Sequence, residues 1–509
     1  MSTPTGTRRD MIKLGAASLL GTLAAGCAPA AIGKASSKPK NIIFMVSDGM
    51  SLGVPSLAEH FSRLVRGKGT AWRRLAENKS TAQGFFDMAS LDSIVTDSAA
   101  ASSSWSSGSR VANGFLNYLP DHTRLAPIGA LVKESGRAFG FATTATVTHA
   151  TPAGFTVSLR SRESQDDIAE AYLEGTADVM LGGGLEYFDR DARSDDRDLF
   201  GDLAAKGYTV AKTSGELGAA SQCKKFIGVF NDGYLPYTID HRRDAFYRER
   251  IPTLREMSLA AIQVLSQNPR GYLLQIEGAR IDHAAHNNDP AAILWDQLAF
   301  DDALEAVLAY ASQRNDTLVV VTSDHGNSNP GLIGTARRYA LTNEYFLNLP
   351  KITGSLEQIK LDLKYATGKA EPTEQDLATL FQKHTSFSLT SAESDRLWAA
   401  YQGNFKKMEE VNIHQNSLPG IYGQILSNHT SVGWNGTQHS SDLTSILATG
   451  PGQDLFHGLI KNTEAFVHMT SLFGINHTNK SMDPEIARPL LIPNLESDRA
   501  HWEQVRPKV

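Results

Sequence analysis

The sequence predicts an α/β fold: a three-layer sandwich with a large, mostly parallel central sheet, helices on both faces and an inserted cap region. Three observations carry that expectation. Short apolar runs at 41–46, 139–143, 178–181, 272–276, 318–321 and 443–447 are nearly continuous, the pattern of strands covered on both faces. Amphipathic stretches such as 255–266 and 290–311 separate them, which calls for helix layers on either side of the sheet. The 509 residues are 41% apolar and 20% charged, enough for a sizeable core and incompatible with a disordered chain or a small scaffold.

Charge and cysteine usage narrow the partners. Forty-nine Lys and Arg against 55 Asp and Glu leave a formal charge of -6, which gives no electrostatic reason to expect nucleic acid or an anionic membrane as partner. Any phosphate binding must then be local. Of the two cysteines, Cys27 falls in a targeting segment, so the folded part is expected to hold one thiol, Cys223, and no disulfide.

Taken in order, residues 1–27 join Arg8-Arg9-Asp10-Met11-Ile12-Lys13 to an apolar, small-residue run too short and too rich in Gly and Ala for a membrane anchor. This reads as a twin-arginine export signal, with an ordinary basic N-terminus as the plain alternative. Leu23-Ala24-Ala25-Gly26-Cys27 also fits a lipoprotein cleavage site, in which Cys27 would be a lipidated first residue. The expected location is accordingly outside the bacterial cytoplasm, in the periplasm or anchored by lipid facing it. Residues 28–39 read as a tether. The catalytic domain is expected over 40–327 and 431–485. Residues 328–430, rich in Lys, Glu, Asn and Thr and lacking the strand and helix alternation, are expected to be the inserted cap.

Open α/β sheets bind ligands outside the carboxyl ends of their strands. Asp48 follows the run 41–46, Thr151 the run 139–143, Glu277 the run 272–276, and Asp324 and His325 the run 318–321, while His439 precedes 443–447. These are expected to meet on one rim. Asp282 and His286 stand four apart, share one face of a helical turn and could hold a metal, although a surface Asp-His pair has the same spacing. Asp324-His325 is a second carboxylate-imidazole pair, with helix capping as its bland reading. Imidazole and carboxylate without thiolate suit zinc, and the oxygen set of Asp48, Thr151 and Glu277 suits magnesium. Ser98 lies where residues 93–108 turn from β-like to small-residue helical, near a helix N-terminus that favours anions. A flexible Ser/Ala linker is the competing reading. Gly182-Gly183-Gly184 reads as a strand-end turn, and the basic stretch around Arg63, Arg66, Lys68, Arg73 and Arg74 as a solvated helix surface.

Six segments in order resemble one known family, the alkaline phosphatases, which are metal-dependent phosphomonoesterases with a serine nucleophile. They are Val46-Ser47-Asp48-Gly49-Met50, Thr96-Asp97-Ser98-Ala99-Ala100, His149-Ala150-Thr151-Pro152-Ala153, Glu277 to His286, Ser323-Asp324-His325-Gly326, and Gly436-Thr437-Gln438-His439-Ser440 followed by Gly450-Pro451-Gly452. The resemblance spans about Asn41 to Pro451, with a tail to about Met482.

It implies one zinc held by Asp282, His286 and His439, a second by Asp48, Asp324 and His325, and a magnesium by Asp48, Thr151 and Glu277. It further implies that Ser98 attacks phosphorus to give a phosphoserine that water hydrolyses. An arginine should grip two non-bridging oxygens; the family's spacing points to Arg162, with Arg160 as competitor, and to Asp97 as its orienting partner. His149 stands where prototype bacterial members have an aspartate, and His283 where they have a lysine, so the third site could take zinc or cobalt instead of magnesium. The substrates implied are small phosphate monoesters, and relatives occur as homodimers and as monomers. A phosphodiesterase or sulfatase-like hydrolase with the same metal core, or a non-catalytic metal-dependent phosphate-binding protein, are the alternatives.

Overall fold

The computed structural model describes residues 38–366, 371–404 and 412–505. The export segment, Cys27 and all but the last two tether residues lie outside them.

Fourteen strands are present among the described residues. β1 (Asn41–Ser47), β2 (Ala82–Asp87), β3 (Ala138–Thr146), β4 (Val179–Gly183), β5 (Thr209–Ala211), β6 (Phe226–Val229), β7 (Tyr272–Gly278) and β8 (Thr317–Thr322) precede the insert. β9 (Gly326–Asn327), β10 (Gly331–Leu332), β11 (Val432–Gly433) and β12 (His439–Ser440) are two-residue ladders at its ends, and β13 (Thr444–Thr449) and β14 (Gly458–Lys461) return to the core. Ten of them form one sheet in the order β14-β2-β13-β8-β1-β7-β3-β4-β6-β5. β13 pairs antiparallel with both β8 and β2, and the other pairings in this sheet are parallel.

The alternation of side chains along β1 shows why its run is continuous. Ile43 and Met45 enter one core with Val54, Met257 and Leu298, whereas Ile42, Phe44 and Val46 enter the other with Trp105, Phe139 and Phe155. Both faces are covered, so neither parity can be polar. The expected helices appear as Leu254–Leu265, opened by a Thr253-Glu256 capping box, and Pro290–Ser312, opened by Asp289 with proline in its first turn.

Four sheet strands escaped the apolar-run criterion. β2 has one exposed face, carrying Gln83 and Phe85, and β5, β6 and β14 are three or four residues long. Glu277 lies inside β7, one residue before its end, because the strand continues past the apolar run. The stretch expected as a cap is mainly helical, with helices at Leu341–Phe346, Leu356–Ala366, Glu374–Thr385, Ser391–Tyr401 and Leu418–Thr430. Its two ends are tied by antiparallel ladders, Gly331 opposite Gly433 and Asn327 opposite His439. A helix at Pro484–Val505 runs beyond residue 485, and its Ala487 and Leu491 pack with Leu91, Val111 and Phe115.

The Ser/Ala segment is an ordered helix, Ser98–Ser107, buried along its whole length. Its hydroxyls replace solvent with internal partners: Ser102 donates to the Thr151 carbonyl, Ser104 to Ala100 and Ser107 to Ser103. Trp105 meets Phe44 edge-on, ring centres 5.1 Å apart. Small residues are required on the other side, where a Cβ on Gly154 would stand 2.5 Å from the Ser102 hydroxyl.

Candidate metal and phosphate site

Every residue named from sequence as a ligand or substrate contact comes from the carboxyl rim of the sheet. Asp48 follows β1, Glu277 is the next-to-last residue of β7, Asp324 and His325 follow β8, and Thr151 lies in the short helix Ala150–Gly154 beyond β3. Asp282 and His286 occupy the helix Arg280–His286 after β7. His439 reaches the same rim because β13 runs antiparallel to β8, so the segment entering it lies where its neighbours exit. Gly49 makes this convergence physically feasible. Its φ is +66°, and a Cβ there would lie 2.5 Å from an Asp282 carboxylate oxygen.

Among the described residues, three groups of acidic and imidazole side chains place ligand atoms within 4.8 Å of one another: Asp282 with His325 and His439, Asp48 with Asp324 and His325, and Asp48 with His149 and Glu277. His286 adjoins the first group, its Nε2 3.1 Å from that of His439 and 3.3 Å from Asp282 Oδ2. His325 Nε2 stands 3.1 Å from Asp324 and 3.6 Å from Asp48.

The donor set fits cations. Both carboxylate oxygens of buried Asp48, Asp324 Oδ2, His325 Nδ1 and the Thr151 hydroxyl have no hydrogen-bond partner among the described residues. Burying such groups unpaired is costly, and positive charge offsets it. The imidazoles agree. Nδ1 of His286 lies 2.7 Å from the Thr437 carbonyl and Nδ1 of His439 lies 2.9 Å from the Thr96 carbonyl. Carbonyls only accept, so both Nδ1 atoms carry hydrogen and both Nε2 lone pairs point at each other, an arrangement that needs a cation or a proton between them.

The electrostatics without a cation tell the same story. Burial, then Asp324, Asp282 and Glu277, push Asp48 well above the usual carboxylate range. Burial and then His325 lower His439 to about 4, while Asp282 outweighs burial to raise His286 to about 8. Asp282 is held well below its ordinary value, burial being outweighed by His286 and the other imidazoles.

Ser98 is the first residue of its helix, and its hydroxyl lies 3.2 Å from His325 Nε2. Asp97, the N-cap, uses both oxygens. Oδ1 accepts from Ala100 N at 2.9 Å, and Oδ2 accepts from Gly114 N and Arg162 Nη1, each at 3.0 Å. Arg162 Nη2 donates to His149 Nε2 at 3.3 Å, which leaves the His149 Nδ1 hydrogen for Glu277 Oε1, 3.1 Å away. A chain Asp97, Arg162, His149, Glu277 therefore links the serine helix to the third group. Two of five guanidinium N–H groups are taken, leaving three for a ligand.

These motifs in this geometry belong to a recognisable lineage. The alkaline phosphatase family model matches residues 39–475. The chain belongs to the alkaline phosphatase family. It is 29% identical over 435 residues to alkaline phosphatase 4 of Bacillus subtilis, covering 84% of this chain and 87% of that one. The streptomycin-6-phosphate phosphatase of Streptomyces griseus is 30% identical over 351 residues, covering 60% and 77% of the two chains. The crystal structure of the Thermus thermophilus alkaline phosphatase superposes with a TM-score of 0.83 at 34% identity, over 93% of this chain and 100% of that one. A cold-active alkaline phosphatase from a psychrophilic Shewanella gives 0.69 at 28%, over 85% and 99%. The enzyme is thus an alkaline phosphatase, a hydrolase of small phosphate monoesters.

Several residues of this alkaline phosphatase site carry no sequence signal of their own. Asn327 donates to Asp282 Oδ1 at 2.7 Å, and Thr143 donates to Glu277 Oε2 because the β3-β7 register sets the two side by side. Arg280, buried, stacks on Tyr237, pairs with Glu357 from the insert at 2.6 Å and donates to His283 Nδ1 at 2.9 Å. Burial, then Arg280, keep the His283 pKa well below its usual value. Its ring lies 5.9 Å from that of His149 and 4.4 Å from that of Tyr234. Asn327 has only a borrowed cue, its place two residues after the Asp324-His325 pair.

Proposed function

We propose that this enzyme is exported and hydrolyses phosphate monoesters through a phosphoserine on Ser98, in a centre of two zinc ions and one magnesium ion. Asp282, His286 and His439 would hold one zinc and Asp48, Asp324 and His325 the other. Asp48, Thr151 and Glu277 would hold the magnesium, with His149 close enough for zinc or cobalt to replace it. When bound, these cations supply positive charge to the attacking and leaving oxygens.

The remaining steps belong to side chains. Ser98 Oγ forms the bond to phosphorus as the ester oxygen leaves, and the head of its helix favours the anion. Arg162, fixed by Asp97 and His149, turns its free N–H groups to two non-bridging oxygens, a fork that favours a terminal phosphate over a diester. Water then cleaves the phosphoserine. Export rests on the twin-arginine segment at 1–27, and the insert over 328–430 would cap a catalytic domain formed by 40–327 and 431–485.

The observation that carries this reading is the Ser98 hydroxyl, 3.2 Å from His325 Nε2 and beside the unpartnered oxygens of Asp48 and Asp324. Acid quenching during turnover of phenyl phosphate should trap one phosphate per chain on Ser98 and none in Ser98→Ala. Phosphate trapped on another residue of that variant would move the nucleophile elsewhere. A diester turned over faster than its monoester would overturn the role given to Arg162.

A further inference from the structure

His286 and His439 come from distant parts of the chain, and their facing Nε2 atoms can share a cation only while the segments that carry them keep one spacing. His286 ends the helix Arg280–His286, and Asn288 follows it with φ +45° and its side chain buried. His439 opens β12, and residues 434–437 lead into it from β11. The two segments meet where His286 Nδ1 donates to the Thr437 carbonyl at 2.7 Å.

The insert supplies a second link. Gln415, 6% exposed, ends the short helical turn Ile413–Gln415. Its Oε1 accepts from Asn288 Nδ2 at 3.3 Å, and its Nε2 donates to the Trp434 carbonyl at 3.1 Å. One amide therefore spans the segment that carries His286 and the segment that carries His439. Asn412 adds a bond to the Asn435 carbonyl at 3.3 Å, so the turn runs alongside 434–437.

The helix Leu418–Thr430 backs this brace with glycine. A Cβ on Gly423 would lie 2.5 Å from Asn288 Cβ and 3.1 Å from Trp434 Cδ1, and one on Gly420 would lie 2.2 Å from the Gln415 carbonyl oxygen. Neither glycine has a positive φ, so it is close approach that excludes a side chain at both. Glycine is unfavourable inside a helix, and here it lets the insert press against both histidine-bearing segments. The ligands assigned to the second zinc differ in this respect. Asp48, Asp324 and His325 follow β1 and β8, which pair directly in the central sheet and set that spacing by register.

We propose that Gln415 is a positioning residue for the site of His286 and His439: through it the insert sets the separation of the two imidazoles and the tightness with which that site keeps its metal. The proposal rests on the assignment of His286 and His439 to one zinc.

The test is zinc release from the loaded enzyme, titrated with a chelator and followed as zinc per chain. His286→Ala should abolish one release step and so mark the site. Gln415→Met keeps the length of the side chain and loses both hydrogen bonds; it should weaken zinc at the marked site about ten-fold and change the other site less than about two-fold. Gly423→Ala, which forces Asn288 and Trp434 apart, should act in the same way. Lys383→Ala breaks an exposed ion pair with Asp362 elsewhere in the insert and should change neither site. With cobalt(II) in place of zinc, Gln415→Met should alter the part of the visible absorption that His286→Ala abolishes. Release unchanged from wild type in both Gln415→Met and Gly423→Ala, or an equal loss from both sites with a lower urea midpoint, overturns the brace. Wild-type release from His286→Ala would overturn the ligand assignment, and the brace with it.

Discussion

Replacing Asp97 with asparagine should weaken phosphate binding and leave the fold intact. Oδ1 caps the serine helix through Ala100 N, and asparagine caps as well as aspartate. Oδ2 is different, because its two partners, Gly114 N and Arg162 Nη1, are both donors. An amide NH2 there meets two donors and carries no charge. A hydrogen bond to a charged group contributes about 1.5–3 kcal/mol. Asp97 and Arg162 are 19% and 22% exposed, which favours the lower end, roughly a ten-fold loss. The assay is kcat/KM for phenyl phosphate together with Ki for inorganic phosphate, both expected to worsen about ten-fold, with stability in denaturant lowered by about 1.5 kcal/mol through the same lost bonds. Asp97→Ala should add a stability loss of about 1 kcal/mol from the missing cap. The decisive control is Arg162→Ala: in that background Asp97→Asn should cost little further activity. An equal loss in both backgrounds would refute the claim that Asp97 acts through Arg162.

The remaining expectations use other parts of the molecule. Asn327→Ala frees the Asp282 carboxylate and should weaken zinc retention about ten-fold in competition with a chelator, whereas unaltered retention would make Asn327 a bystander. Gly154→Ala drives a Cβ onto Ser102 and should destabilise the protein by about 1–3 kcal/mol in denaturant unfolding, with activity lost alongside. Burial raises Asp240 to about 7, and its carboxylate accepts from both the backbone N–H and the hydroxyl of Ser355, just before the helix Leu356–Ala366 of the insert. A raised carboxylate pKa binds its proton more tightly when folded, so its contribution is full below pH about 4 and is lost as pH rises through about 7. Asp240→Asn mimics the protonated form and should match wild type only near pH 4 or below, and should exceed it increasingly in urea midpoint up to pH 8. Comparing the two proteins at each pH cancels any common loss of metal.

Much of the sheet was legible because strands buried on both faces have no freedom to alternate, as β1, β7 and β8 show. The gathering of the candidate ligands was legible for a related reason, since in such a sheet polar residues following buried strands collect at one rim. Ser98 could be placed at a helix head but not distinguished from a linker by composition. What decided the matter was burial of every residue from Ser98 to Ser107 against Phe44, Gly154 and Thr151. β2 went unseen because half of it faces solvent, and Arg280 because its partner Glu357 is 77 residues away.

By itself, the sequence determined the layered α/β architecture, the carboxylate and imidazole chemistry of the candidate ligands and the acidic residue next to Ser98. Those follow from local composition and from what a buried strand permits on either side of it. Only the tertiary structure decided which way β13 runs, and so whether His439 reaches the rim at all. It also set Thr143 beside Glu277 by register, brought Asn327 opposite His439 across the ends of the insert, and sent Arg162 to Asp97 while Arg160 turned to a cavity of its own. Strand direction, register and the partner of a long side chain depend on contacts between segments far apart in the chain, and no local pattern encodes them.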